Sequence, residues 1–190
     1  TAVGREALSA NTTASSNVAV GESALRVSTT GANNVAVGAN ALTANTTAAN
    51  NTAVGFSALT ANTTGTANTA VGKEAGGATT TGSYNTFVGI AGFANTTADN
   101  NTAVGYNSLA SNTTGTANTA VGDSSLKFVT TGNYNTAVGQ RSLEDNTTAS
   151  NNVAVGWGSL TDNTTGTQNT GLGRSALAGN TTADNNTAVG

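Results

Sequence analysis

Aliphatic residues recur along the chain at a fixed interval. A Val, or Leu at position 172, directly precedes each repeated glycine, and a Leu usually follows four residues after that glycine. Ten of the eleven intervals between these glycines are 17 residues long, and the interval from Gly89 to Gly105 is 16. The repeated glycines are Gly4, Gly21, Gly38, Gly55, Gly72, Gly89, Gly105, Gly122, Gly139, Gly156, Gly173 and Gly190. A phase held through eleven periods predicts a solenoid or a fibre.

Each period predicts one coil of a parallel β-solenoid, so residues 1–190 form a single all-β repeat array. A Thr or Val, an Ala and a Val precede the glycine, and β-branched residues at alternate positions favour a strand. We expect the Val and the Thr or Val to point inward and the Ala to point outward. The glycine then forms a corner, and a second short strand ends at the Leu. Helix is disfavoured because Val and Leu lie five residues apart. Disorder is the other alternative, but a disordered chain does not require an aliphatic residue at the same position of every period.

An asparagine stands four residues before the glycine in every period where that position exists. Asn tolerates the left-handed conformation, and its amide both donates and accepts hydrogen bonds. This column therefore predicts a structural ladder of side-chain hydrogen bonds along the axis. A Thr-Thr pair followed by Gly or Ala predicts a bend in each period. The ladder residues are Asn17, Asn34, Asn51, Asn68, Asn85, Asn101, Asn118, Asn135, Asn152, Asn169 and Asn186.

The composition removes most catalytic and metal chemistry. The chain has no His and no Cys, which excludes His-based acid–base catalysis, Cys nucleophiles, disulfides and the usual zinc sites. Its six Lys and Arg residues are scattered singly, so a nucleic-acid surface is not expected. No apolar run is long enough to cross a membrane. We therefore expect no enzyme activity, no cofactor and no metal. Because both ends lie inside the repeated motif, we expect a segment of a longer fibrous protein.

The residue after each glycine varies freely and so marks the outer surface. It is aromatic at Phe56, Tyr106 and Trp157 and is Arg, Glu, Ala, Lys, Ile, Asp or Gln elsewhere. A freely varying solvent face accounts for this variation. Alternatively, the three aromatic residues are contact points for a glycan, a protein or a mineral surface. They lie three coils apart, which argues against one compact site.

The string N-[TV]-A-V-G-x-x-[AS]-L resembles the head repeat of the YadA-like trimeric autotransporter adhesins. It is also similar to an expanded repeat found in phage tail-fibre-like and long bacterial surface proteins. The resemblance covers the whole chain, although the family's coil is shorter. It implies a left-handed parallel β-roll, three chains in a homotrimeric rod, and an extracellular position on a cell or virion surface. The period of this chain sets about eleven coils of 17 residues. It also implies binding to a host-surface protein or glycan.

The small residues independently indicate self-association. The Ala before Val, and the Ala or Ser three residues after glycine, would present a smooth face to a neighbouring chain. One stretch breaks the pattern: Gly76 replaces a Leu, Phe87 replaces the Ala of its strand, and Phe93 stands four residues after Gly89. We expect one residue to be deleted just before Asn95 and both phenylalanines to be buried.

Three function classes follow. The first is a structural and adhesive rod of a surface adhesin or filament that mediates attachment. The second is a bacteriophage tail-fibre shaft, for which the same coils would serve. The third is ice binding, because regular Thr columns on a solenoid match an ice lattice. Here the paired Thr residues are adjacent and would point to opposite sides, which disfavours ice binding.

Overall fold

Residues 1–190 are described by a computed structural model that consists of short strands and turns, without helices. The twelve strands pair in chain order into one parallel sheet, and each residue faces its equivalent in the next coil. They are β1 Ala2–Val3, β2 Val18–Val20, β3 Val35–Val37, β4 Thr52–Val54, β5 Thr69–Val71, β6 Thr86–Ile90, β7 Thr102–Tyr106, β8 Thr119–Val121, β9 Thr136–Val138, β10 Val153–Val155, β11 Thr170–Leu172 and β12 Thr187–Val189. The all-β parallel solenoid of about eleven 17-residue coils is confirmed.

The expected orientation of the strand residues was wrong. The middle Ala of the strand is fully buried, as at Ala120, whereas the Val beside it is partly exposed, at 36% for Val37 and 39% for Val71. The interior is too thin for a Val. At Gly171, which replaces the Ala, an added Cβ would lie 2.5 Å from Ser159 Oγ and 3.4 Å from Leu160 Cγ. The methyl group of Ala therefore fills the available space, and the larger β-branched residues point outward.

The second strand of each coil was also predicted wrongly. Turns follow the glycine in most coils, and only β6 and β7 continue past it, by one residue. The Leu four residues after glycine has a positive φ, for example 50° at Leu25 and 47° at Leu126. That conformation is unfavourable for a Leu, yet both side chains are fully buried. The turn directs each Leu onto the strand Ala, and the Ala or Ser column lies beside them. The buried Ala and Leu residues, with Phe87 and Val129, form one continuous core cluster of 22 residues.

The repeated glycine makes the corner between strand and turn. Gly122 has a φ of 130°, and a Cβ there would lie 2.7 Å from the carbonyl oxygen of Gly139 in the next coil. Both the backbone conformation and the close approach of the neighbouring coil exclude a side chain. The invariance of the column within the chain follows from this contact.

The Asn ladder is buried and joins backbone to side chain rather than only side chain to side chain. The backbone N–H of Asn118 donates to Asn101 Oδ1 at 2.9 Å, and Asn118 Nδ2 donates to the carbonyl oxygen of Gly132 at 2.8 Å. The left-handed conformation, which Asn tolerates, belongs here to the residue before each ladder Asn, as at Tyr134 with a φ of 57°. Each Asn therefore satisfies the backbone of the bend in the next coil.

Asn118→Ala is expected to lower the free energy of unfolding by roughly 2–4 kcal/mol, because two buried backbone groups lose their partners. These groups are the Asn135 N–H, which donates to Asn118 Oδ1, and the Gly132 carbonyl. Urea unfolding followed by circular dichroism measures the loss. Thr114→Ala is the matched control, because Thr114 is exposed and its side chain makes no hydrogen bond, so a change within about 0.5 kcal/mol is expected. Equal losses for both variants would contradict this role of the ladder.

A second buried Asn column begins the Asn-Thr-Thr turn and was missed from the sequence. Its amide nitrogen donates to the carbonyl oxygen three residues on, as from Asn112 to Gly115 at 2.8 Å. The column consists of Asn45, Asn62, Asn95, Asn112, Asn146 and Asn163 where it is buried. The Asn that begins each repeated N-T-T string was the sequence signal that could have revealed this column. Each of these amides closes the turn that begins the bend.

The irregular coils are repaired by one aromatic side chain. The residue that this coil lacks is missing directly after Ile90 and not just before Asn95. Gly92 rather than Phe93 therefore takes the place of Leu. Gly92 N–H donates to the next coil at 3.0 Å, as Leu109 N–H does. Two adjacent coils thus lack Leu, and the fully buried Phe87 packs against both vacant positions. Phe93 was expected to be buried but is 41% exposed.

Candidate functional site

The structure contains few features of a catalytic centre. No three Asp or Glu side chains lie close enough together to hold a metal ion. The structure also has no helix with the length and hydropathy needed to span a bilayer. The features that could bind a partner are the outer face of the sheet, the column after the glycine, and two clefts.

The outer face of the sheet is an uncharged surface that runs the length of the rod. Each strand contributes a Thr or Val and then a Val or Leu172, with the buried Ala between them. The parallel register stacks like positions directly, as Thr119 on Thr136 and Val121 on Val138. This sheet face, defined by the outward Thr and Val of β2–β11, was missed because these residues were expected inside.

The three aromatic residues predicted as contact points are exposed, and each belongs to a different coil. The exposed fraction is 51% for Phe56, 58% for Tyr106 and 44% for Trp157. The structure does not bring them together, since three coils at ~4.8 Å per coil separate neighbours by about 14 Å. Arg174, one coil beyond Trp157, places its guanidinium carbon 4.9 Å from the centroid of the indole ring. Trp157 alone thus has a cation stacked on its ring.

A three-coil period underlies this spacing and was not predicted. Exposed tyrosines occur at Tyr84 and Tyr134, 50 residues apart, just before the ladder asparagine. In the second Asn column, Ser28, Thr79 and Val129 replace asparagine at the same three-coil interval. The buried Oδ1 atoms of the coils just before Thr79 and Val129, those of Asn62 and Asn112, lack hydrogen-bond partners. The Oδ1 of Asn146 lacks one too, although Asn163 follows it in the next coil. Neighbouring coils are therefore not equivalent on the surface.

Two clefts open on the turn face, on the side of the glycine corner away from the strands. The first has a volume of about 280 Å³ and lies beside Trp157. The second has a volume of about 350 Å³ and begins in the coil of Phe56. The Trp157 cleft is lined by Arg141, Trp157, Gly158, Thr161, Asp162, Ser175 and Ala178. The second cleft is lined by Ser57, Thr60, Glu74, Gly77, Ala78 and Phe93. Thr60 and Thr161 occupy the same position in their coils, so the two clefts are repeats of one surface feature.

Charged residues cluster beside the Trp157 cleft. Arg141 Nε donates to Glu144, and this hydrogen bond raises the pKa of Arg141. Lys127 Nζ lies 4.0 Å from the same carboxylate. Burial raises the pKa of Asp145, and the nearby Glu144 and Asp162 carboxylates raise it further. Asp162 itself lines the cleft and accepts no hydrogen bond from the protein, so its carboxylate is available to a ligand.

The Thr-Thr pair forms two different columns. The first Thr donates its hydroxyl to the next coil, as from Thr113 Oγ1 to the carbonyl oxygen of Thr130 at 3.1 Å. The second Thr, such as Thr114, is exposed in every coil, and its hydroxyl makes no hydrogen bond. Of the two columns of the Thr-Thr pair, only the second thus faces solvent freely. Comparisons with known protein families, with curated proteins and with solved structures give no match. The function is therefore inferred from the sheet face, the column after the glycine and the two clefts.

Proposed function

We propose that this chain is a segment of an extracellular structural and adhesive fibre, in which three copies associate along the sheet face into a rod. The observation that carries the proposal is the unbroken run of outward Thr and Val through the strands. Val37, Val71 and Val138 each expose more than a third of their surface. A face of this kind, roughly 50 Å long, is typical of an interaction surface rather than of a solvated one.

The geometry of the sheet face suits identical chains. The face carries no charge, so burying it leaves no unpaired ion. Its side chains repeat every ~4.8 Å, so two or three parallel copies present matching ridges and grooves at every coil. The resemblance of the repeat to the YadA-like heads supports three copies and a position outside the cell. The small-residue columns no longer support association, because Ala120 and its equivalents lie inside the coil.

A paired substitution on the sheet face tests the proposal. Val104→Asp combined with Val121→Asp should leave the β-rich circular dichroism spectrum in place but convert the assembly to single chains, because four or more carboxylates would then meet at one interface. Sedimentation velocity measures the change. Asp123→Ala is the control, since Asp123 is exposed and lies beyond the glycine corner. An unchanged assembly in the double variant would reject the sheet face as the interface.

A bacteriophage tail-fibre shaft would use the same coils and the same interface, so it is the alternative within this proposal. Ice binding has one supporting observation, the column of exposed Thr residues that runs through all eleven Thr-Thr turns. Within the Thr-Thr turn it lacks a second parallel column of free hydroxyls, because the first Thr of each pair is bonded to the next coil. The outward Thr column of the strands is interrupted by Val18, Val35 and Val153. We therefore expect no thermal hysteresis from the purified chain, and a measurable hysteresis would favour ice binding.

A further inference from the structure

We propose that the Trp157 cleft binds a neutral pyranose saccharide. This inference rests on the adhesive part of the proposed function and names the class of ligand for one site. The cleft combines an exposed aromatic ring with hydroxyl and charged groups drawn from three successive coils. A concave surface with one aromatic wall and a few converging polar groups is the usual architecture of a small-ligand site.

The aromatic wall is the indole of Trp157. Its 44% exposure leaves a large apolar surface in contact with water. Arg174 stacks on the ring but does not line the cleft, so the cleft side of the indole stays open. A pyranose ring with equatorial hydroxyls presents a flat face of C–H groups. Packing that face on the indole removes apolar surface from water on both partners.

The polar wall can satisfy the hydroxyls of a sugar. Asp162 accepts no hydrogen bond within the protein, and the Ser175 hydroxyl makes none either. Arg141 uses only Nε in its contact with Glu144, so its two terminal amino groups remain free to donate. A sugar hydroxyl is both donor and acceptor, and this set offers a carboxylate acceptor, guanidinium donors and a hydroxyl.

The charges select a neutral ligand. Arg141 and Asp162 are the charged residues that line the cleft, and the charges just outside it, Arg174 on the indole ring and Glu144 on Arg141, balance as well. An anionic saccharide would therefore meet as many carboxylates as guanidinium groups, with no net attraction. The second cleft has Glu74 and no cation in its wall, so it lacks the pair of opposite charges found in the Trp157 cleft. The Trp157 cleft is thus the better-formed of the two sites.

The experiment uses the fluorescence of Trp157, the only tryptophan in the chain, so the signal comes from this cleft alone. The probe is cellotetraose, a neutral β-linked glucose oligomer, and tetragalacturonate is the anionic comparison. We expect a saturable change in emission with cellotetraose at a dissociation constant on the order of 1 mM. The combined variant Asp162→Asn and Ser175→Ala keeps Trp157 and should weaken binding at least about tenfold. Glu6→Gln removes an exposed carboxylate at the far end of the rod and should bind as the unmodified chain does.

Three results would overturn the saccharide proposal. They are a response to cellotetraose that does not saturate, an equal response from the double variant, and tighter binding of tetragalacturonate than of cellotetraose. Sedimentation of the same samples separates this inference from the proposed fibre. A correctly assembled rod that fails to bind cellotetraose contradicts the saccharide site alone, whereas single chains that bind it contradict only the assembly.

Discussion

Replacing Ala120 with aspartate is expected to lower the free energy of unfolding by roughly 3–5 kcal/mol, the cost of an uncompensated charge in a dry interior. Ala120 is fully buried and pairs with Ala103 and Ala137 in the neighbouring coils. Leu126 packs in the same core cluster, which contains no cation. The carboxylate would also exceed the volume available, so protonation alone would not remove the cost. Urea unfolding measured by circular dichroism gives the change directly.

Val121→Asp, one residue further along, is the matched control. The same carboxylate then projects from the sheet face, where water can reach it, so the unfolding free energy of the dissociated chain should change by less than about 1 kcal/mol. Measuring both variants at a concentration low enough to keep the chains apart removes the contribution of assembly. Greater destabilisation by Val121→Asp than by Ala120→Asp would show that the strand faces the other way.

Phe87→Ala should cost about as much, roughly 3–5 kcal/mol, because it empties the largest side-chain volume in the core. Phe87 is fully buried and fills the space left by leucine in two adjacent coils. A Cβ at Gly76 would lie 2.5 Å from Phe87 Cδ2, which shows how closely the ring occupies that space. Thermal and urea unfolding of Phe87→Ala measure the loss, and Phe93→Ala serves as the exposed control.

A rescue distinguishes a filled cavity from a general effect of removing an aromatic residue. Adding Gly76→Leu and Gly92→Leu to Phe87→Ala restores the consensus Ala and Leu at these three positions, while the coil after Gly89 stays one residue short. The backbone is ready for these residues, since Gly76 and Gly92 have φ values of 58° and 62°, close to the 52° of Leu109. The triple variant should recover most of the lost stability. A triple variant no more stable than Phe87→Ala alone would contradict the compensation.

The repeat length and the parallel solenoid could be predicted because the 17-residue period is explicit in the sequence. The period also identified the glycine corner and the inward Leu, such as Leu126. The orientation of the strand could not be predicted from alternation, which places Ala120 and Val121 on opposite faces without saying which is inside. The larger side chain suggested that Val lies inside. In the structure the Leu of the turn fills the interior instead. Leu reaches that position through a left-handed backbone conformation that leucine rarely adopts.

The irregular coils show the same limit at single residues. Alignment by distance from Gly89 placed Phe93 in the Leu column, but the deletion lies one turn earlier, after Ile90. A one-residue gap can be put anywhere in a loop by sequence alone. The hydrogen bond from Gly92 N–H to the Ser108 carbonyl fixes its place. Phe87 could then be recognised as the residue that fills both vacancies.

The exposure of the column after the glycine could be predicted from the sequence, whereas the clefts could not. Free variation after the glycine was enough to place Phe56, Tyr106 and Trp157 on the surface. The Trp157 cleft depends on Thr161, four residues further on, and on Ser175 in the next coil. Their approach is decided by the path of the turns, which the sequence pattern had predicted as a strand. Sequence therefore identified the exposed aromatic residues but not the groups that surround them.

Sedimentation equilibrium of the unmodified chain at micromolar concentration tests the fibre most directly. The outward Thr and Val of the sheet face predict an assembly of several chains, and the resemblance to the YadA-like heads implies three of them. We therefore expect a single species of three times the 18.4 kDa chain mass. Circular dichroism on the same sample establishes that the chain is folded. A folded species of 18.4 kDa that persists as the concentration rises would contradict the account.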